Sequence, residues 1–442
     1  MSVAAAPPMP TENPLPVWKQ PPVRRLLIIA LLAEIGYAVL NISTMPVYLA
    51  ADPGSGRHLI PEGRALGPSV ISFVLVAFLL SEAVFKSPMG ALADRLGHRR
   101  LMLIGPIITT FTALLTMLVP FHSGAWEVAA LILLRVADGI GAAMLWPAAF
   151  ALMGDTVDDS HRQQAMSLLN LCYMLGIALA MPIGGTINDL TGHKWASLFL
   201  ASAVFAAVAL SVFHFVAPEE SPQHAATDSS EIGFGDFIRS AKEIPGFLVL
   251  AIVTFAGIGF PMAVVKIFAQ QEFHLSETGF GLLVFPAAIG MAVGSVPLSK
   301  YGEKVGRPRA VHLGMALCTL GLAFCCLGAI IPFFRSAFAL AFGGIPVALG
   351  FLLAIPAWMA SVSDIDPQRR GANLGAVMTA QGLGAIIGAP IGGALYEKLQ
   401  PVAGRHIAHY SPFLGCMICV ALGWLLSLHL LREKSDLPAG KI

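Results

Sequence analysis

Apolar runs of about 20 residues alternate with short polar breaks along most of the chain, and that length is what an α-helix needs to cross ~30 Å of hydrocarbon. Twelve such runs start near Leu26, Pro68, Leu101, Trp126, Arg162, Lys194, Pro245, Glu277, Arg309, Ser336, Arg370 and Tyr410. Their interiors are rich in Gly, Ala and Ser, small residues that let membrane helices approach closely. Helices are the expected element, because lipid offers no partner to an open strand edge. The longest break, "APEESPQHAATDSSEIGFGDFIRSAKE", follows the sixth run, and its second part has the pattern of a short interfacial helix. The expected organisation is a cytoplasmic tail over residues 1–25, a six-helix bundle over 26–216, a cytoplasmic linker over 217–244, a second six-helix bundle over 245–431 and a tail over 432–442.

Composition agrees with a lipid-facing surface. The 442 residues are 56% hydrophobic and 12% charged, with a mean hydropathy of +0.75, whereas soluble domains are about 25% charged. A net charge of +1 gives no reason to expect a nucleic-acid partner. Most of the 27 lysines and arginines fall on one side if both termini are cytoplasmic. Arg24, Arg25, Arg95, Arg99, Arg100 and Arg370 are on that side; Arg57, Arg64, Lys194, Arg335, Lys398 and Arg405 are on the other. The polar, proline-rich first 25 residues do not resemble a removable signal. A multi-pass protein of a cell membrane, of the bacterial inner-membrane type, is expected. The cysteines Cys172, Cys318, Cys325, Cys326, Cys416 and Cys419 lie in apolar stretches without histidines at ligand spacing, so neither a disulfide framework nor a metal site is expected.

The two halves repeat. "PMGALADRLGHRR" aligns with "PLSKYGEKVGRPR", so that Pro88 meets Pro297, Asp94 meets Glu303, Gly97 meets Gly306 and Arg100 meets Arg309. After a one-residue adjustment Arg162 meets Arg370, Gly176 meets Gly384, and the "PIGG" of Pro182, Gly184 and Gly185 meets that of Pro390, Gly392 and Gly393. Two copies in one orientation imply a pseudo-two-fold axis along the membrane normal, with a site between the halves. "GALADRLGHRR", its second-half copy, "RVADGIGAA" and the paired "PIGG" resemble the major facilitator superfamily. "GYAVLNISTMP" is similar to the first-helix pattern of its twelve-helix drug:proton antiporters. The resemblance implies an all-α fold of two six-helix bundles that works by alternating access.

It also implies that Asp94, Arg95 and Arg99 form a charge network latching the outward-open state, with Glu303 and Gly306 in the second-half counterpart. Gly90 and Gly97 suit close backbone packing or an unusual φ. Arg95, Arg99 and Arg100 read equally as positive-inside anchors. "GALADRLGHRR" is read as a loop between the second and third spans. The "PIGG" segments should bend their helices and permit close packing. Two departures from the antiporter pattern stand out: Asp138 occupies the place of a glutamine three residues after Arg135, and only one residue separates Pro182 from Gly184.

Ionisable groups inside the spans are the candidate chemistry, since each costs at least ~2.5 kcal/mol at the bilayer centre unless paired or hydrated. They are Glu34, Glu82 and Asp138 against Lys86, Arg135 and Lys266. At ~1.5 Å per residue, Glu34, Arg135 and Asp138 share a level near the midplane, and the resemblance places their helices around one cavity. Their meeting is therefore expected: Glu34 with Asp138 would carry the coupling proton and Arg135 would tune them. The competing reading is a static salt bridge between the first and fourth spans. Tyr37, Ala38 and Asn41 share the face of Glu34, while Trp146 and Gln381 are further cavity candidates. Glu82 and Lys86 have the i,i+4 spacing of an intrahelical pair, and Lys266 is placed to snorkel to the outer interface.

The sequence shows no nucleophile elbow, phosphate loop or metal cluster, so no enzyme and no cofactor is expected. The expected protein is a monomeric secondary carrier exchanging a small molecule against a proton. Its expected activity is efflux of small amphipathic or drug-like molecules. Alternatives are an uncoupled or differently coupled carrier of a sugar, organic acid or lysolipid, and a non-transporting sensor on a carrier fold.

Overall fold

The computed structural model describes residues 16–51, 63–217, 242–363, 365 and 370–431. These residues are helical, with no strand among them. The first half contains α1 (Pro21–Ala38), α2 (Met45–Ala50), α3 (Pro68–Leu96), α4 (His98–Leu118), α5 (Ala125–Thr156), α6 (Asp159–Thr191) and α7 (Trp195–Phe215). The second contains α8 (Pro245–Met262), α9 (Val265–Phe273), α10 (Glu277–Val305), α11 (Arg307–Cys326), α12 (Ala337–Ser363), α13 (Arg370–Lys398) and α14 (Arg405–Leu430). Among the described residues eleven helices are long and apolar enough to cross a membrane. The remaining expected span, α10, is a continuous helix of 29 residues. The expected interfacial stretch of the linker, up to residue 241, and the tails over 1–15 and 432–442 lie outside the described residues.

The sequence repeat is repeated in the packing. In the first half α1 packs on α6, α3 and α4 on α5, and α4 on α7; in the second α8 packs on α13, α10 and α11 on α12, and α11 on α14. Each half has its own apolar core, one around Phe205, Leu145 and Met153, the other around Trp358, Met315 and Val377. A third cluster joins the halves, with Leu40, Tyr48 and Leu49 against Val264, Ile267 and Phe268.

The first helix of each half runs 18 residues from a proline at its start and is then interrupted. After α1 the chain makes a π-helical stretch, Val39–Thr44. Pro46, early in α2, removes a donor that the helical ladder would use. After α8 a turn at Ala263 and Val264 precedes α9. Such insertions re-aim side chains and carbonyls. Here they redirect Ser43 and Lys266 toward each other. Lys266 does not snorkel: it is 2% exposed and its ammonium donates to the Ser43 carbonyl. The helical break, invisible in the hydropathy pattern, turns it into the interface between the halves.

"GALADRLGHRR" is also not a loop. Helix α3 continues to Leu96 and α4 begins at His98, leaving Gly97 as the whole joint. Gly97 has φ 93° and ψ 135°, and Gly306, at the matching joint between α10 and α11, has φ 92° and ψ 142°. Side chains rarely adopt this backbone, which explains a glycine at both places. Arg95 is exposed, Arg99 donates to the Phe213 carbonyl of α7, and the side chains of Asp94 and Glu303 lie outside those described. Gly97→Ala is expected to cost about 1–3 kcal/mol of stability, read as a lower apparent Tm in detergent. A Cβ on Gly90 meets only Pro147 Cβ at 3.7 Å, so Gly90→Ala should melt with the wild type. Equal melting of Gly97→Ala and wild type would show that the joint tolerates a side chain.

Candidate functional site

The chemistry of the first half gathers where α1, α3, α4, α5 and α6 converge. Close approach of α5 depends on glycines. A Cβ on Gly139 would lie 2.4 Å from the Phe78 carbonyl of α3, and one on Gly141 2.9 Å from the Gly105 carbonyl of α4. The same turns bury Arg135 and Asp138 completely. Arg135 Nη1 donates to Asp138 Oδ2 at 2.9 Å and to Asn41 Oδ1 at 3.3 Å. Thr112 Oγ1 donates to Asp138 Oδ1 at 3.3 Å, and Arg135 Nη2 to Thr116 Oγ1 at 3.4 Å. Charge is thus compensated inside one helix, which lipid and a dry core both demand.

Glu34 does not join this pair, contrary to the expectation that the three would meet. A Cβ on Gly176 would lie 2.5 Å from Glu34 Cβ, so α6 presses on α1 at that level. The carboxyl faces instead a cavity of about 230 Å³. Glu34 is 5% exposed and has no hydrogen-bond or ion-pair partner among the described residues. The depth argument placed the three residues at one level, but Arg135 bonds Asn41, seven residues or about 10 Å further along the first span than Glu34, so the levels differ.

Tyr37, Ala38 and Asn41 line the same cavity, with Phe78, Glu82, Trp146 and Tyr173; Met262, Ala263 and Ala389 contribute from the second half. Asn41 belongs to both places: it borders the cavity and accepts from Arg135. Tyr37 stacks edge-on to Phe205 at 4.5 Å and shares a hydrogen bond with Thr109 at 3.3 Å. Trp146 meets Tyr173 at 5.1 Å. Glu82 and Lys86 form the expected i,i+4 pair at 2.8 Å, with Lys86 about half exposed. Gln381 is not on this cavity, and its amide nitrogen is buried without a hydrogen-bond partner.

The "PIGG" segments act through their glycines, while α6 and α13 run on through Pro182 and Pro390. A Cβ on Gly184 would lie 2.5 Å from Ser43 Oγ, and one on Gly392 2.0 Å from the Phe260 carbonyl, each in its own half. A Cβ on Gly185 would lie 2.4 Å from the Glu277 carbonyl, and one on Gly393 2.2 Å from Ser72 Oγ, each across the interface. Inter-half bonds lie nearby: Thr278 N–H donates to Asp189 at 2.8 Å, and Ser69 N–H to Glu397 at 3.1 Å. All are on the face opposite Gly97.

The sequence reading overlooked two charged clusters on that face. Arg64 is 1% exposed, pairs with Glu127 at 2.7 Å, donates to the Thr116 and Val119 carbonyls, and lies 4.0 Å from the Phe121 ring centre. Glu272 bonds both His406 and His409, at 2.7 and 2.6 Å. Their positions between apolar runs marked them as ordinary connecting charges. Among the described residues no group of His, Cys, Asp and Glu is arranged to hold a metal, and the six cysteines are free.

Two repeated helical bundles packed about a buried polar site define a membrane transporter of the parallel-repeat type. The model of the Major Facilitator Superfamily matches residues 26–257 and again 247–441. The chain belongs to the major facilitator superfamily, so it is a transporter and not an enzyme. It is 24% identical to Multidrug resistance protein 2 of Bacillus subtilis over 85% of this chain and 89% of that protein. It is also 24% identical to the chloramphenicol resistance protein CraA of Acinetobacter baumannii, over 60% and 61%. The solved nucleoside transporter NupG superposes with a TM-score of 0.73 at 13% identity, covering 94% of this chain and all of that one.

Removing the guanidinium alone would strand the Asp138 carboxylate in the core. Arg135→Met should cost about 3–5 kcal/mol, seen as a lower apparent Tm. Adding Asp138→Asn should recover part of the loss, because the stranded group is then neutral. Wild-type melting of Arg135→Met would mean that the pair contributes nothing to the bundle.

Proposed function

We propose that this chain exports small amphipathic or drug-like molecules in exchange for protons, by alternating access, from a cell membrane in which the Gly97 face and both termini are cytoplasmic. The carrying observation is the Glu34 carboxyl, unpartnered among the described residues, which borders a mostly apolar cavity near the buried Arg135–Asp138 pair. A carboxyl in that setting can take up and release its proton as the exposure of the cavity to water changes, because no ion pair has to be broken first. Aromatic walls of Tyr37, Phe78, Trp146 and Tyr173 suit flat apolar molecules. Asn41 links cavity to pair, so occupancy of the cavity acts on the hydrogen bonding of Arg135. Names of multidrug and chloramphenicol resistance among the relatives support efflux, and the lysine and arginine distribution supports the orientation. Arg95 and Arg99, with Asp94, are proposed to clamp the Gly97 face when the opposite face opens.

The test uses purified protein in liposomes carrying an internal pH dye. An imposed proton gradient is combined with a panel of lipophilic cations, sugars and organic anions. Substrate-triggered proton flux is expected for wild type and its loss, about 100-fold or more, for Glu34→Gln. Solute movement without proton flux, or normal coupling in the variant, would remove Glu34 from the coupling role.

A further inference from the structure

Lys266 is a buried charge of the second half whose partners come from both halves. Its ammonium donates to the carbonyl of Ser43, to Ser43 Oγ at 3.2 Å and to Glu277 Oε2 at 2.9 Å. Glu277 also accepts from Asn188 Nδ2 of α6 at 2.8 Å. Asn188 is fixed in turn by Ser197 Oγ of α7, which donates to Asn188 Oδ1 at 2.7 Å. Lys194 reaches Glu277 at 3.8 Å. Ser43, Asn188, Lys266 and Glu277 are all 4% exposed or less.

The placement of these groups is not that of an ordinary core ion pair. Ser43 lies in the π-helical interruption after α1, and Lys266 follows the break after α8, the two breaks that interrupt the repeat after the same 18 residues. A Cβ on Gly184 would lie 2.5 Å from Ser43 Oγ, and one on Gly185 2.4 Å from the Glu277 carbonyl, so α6 clamps both partners from behind. The interruptions of the two halves are thus tied together through one ammonium group.

We propose that Lys266, Ser43, Glu277 and Asn188 form the latch that holds the two halves shut on the face opposite Gly97. Separation there removes Lys266 from Ser43, and Glu277 from both Asn188 and the partly exposed Lys194. The Lys266–Glu277 pair stays intact, because both residues belong to the second half. Neither half is left with an uncompensated buried charge, which would be the most expensive result of opening. What is exchanged for water is a set of charge-assisted hydrogen bonds, costly enough to favour closure and cheap enough to release. The latch rests on alternating access and is independent of proton coupling.

The test measures the distance between spin labels at Leu190 and Val402, 82% and 84% exposed on opposite halves of this face. Labels enter through an unnatural amino acid in the full-length protein, so the six native cysteines stay in place. The protein is measured in nanodiscs without substrate or pH gradient. Lys266→Met is expected to raise the ratio of open to closed distances about tenfold, and Glu277→Gln to move it the same way by less. Thr319→Val, which removes only a hydrogen bond to the Met315 carbonyl within α11, should leave the distribution at wild type. A wild-type distribution in a monodisperse Lys266→Met sample would overturn the latch. Should that variant not fold, an unchanged distribution in Glu277→Gln would do so. Because the measurement needs no proton flux, a failure of the coupling test leaves this result standing, and the reverse holds too.

Discussion

A polar group inside lipid has to find its partner within the protein, and nearly every feature of this chain follows from that demand. It explains why the described backbone is helical, since a helix satisfies its own amides. It explains the pairing of Arg135 with Asp138 one turn apart, of Glu82 with Lys86, and of Lys266 with Glu277. It also explains the glycines, because helices that bury polar groups together must come close enough to share them. Glu34 stands out because it is buried and yet has no such partner among the described residues.

Legibility in the sequence followed the range of the interaction. Spans, their order and the repeat were readable because hydropathy and motif spacing are local properties. The Glu82–Lys86 and Arg135–Asp138 pairs were readable for the same reason, as spacings of four and three on one helix. The stripe of Glu34, Tyr37 and Asn41 was readable as a helical face, although the π-helical stretch begins before Asn41. Lys266 was misplaced because a span was counted as one straight helix, and the break after Met262 carries no hydropathy signal. Arg64 looked like a connecting charge and Glu277 like the outer end of a span, and their burial depends on folding against distant segments. Whether Glu34 reaches Arg135 depends on how α1 and α5 are shifted along one another, which spacing within each helix does not answer.

The duplicated "PIGG" segments show how a repeat is used twice without being used identically. In each, the first glycine seats its helix within its own bundle and the second seats it against the other bundle. One short motif therefore serves both as internal packing and as contact between halves. The polar partners have diverged: the first half supplies a serine carbonyl and an amide, the second a lysine and a glutamate. Backbone proximity is symmetric, and chemistry is not.

That asymmetry extends to the cavity, whose wall is drawn almost wholly from the first half, with Met262, Ala263 and Ala389 as the second half's small share. In the proposed exchange cycle one bundle is the recognising body and the other its shutter. On that proposal, changes in what is recognised concentrate in the first bundle, whose side chains form most of the cavity wall. Changes in the shutter affect how often the chamber is presented to either side. On these proposals a lineage of such proteins is free to vary diet and tempo separately, because cavity wall and latch are built from different residues.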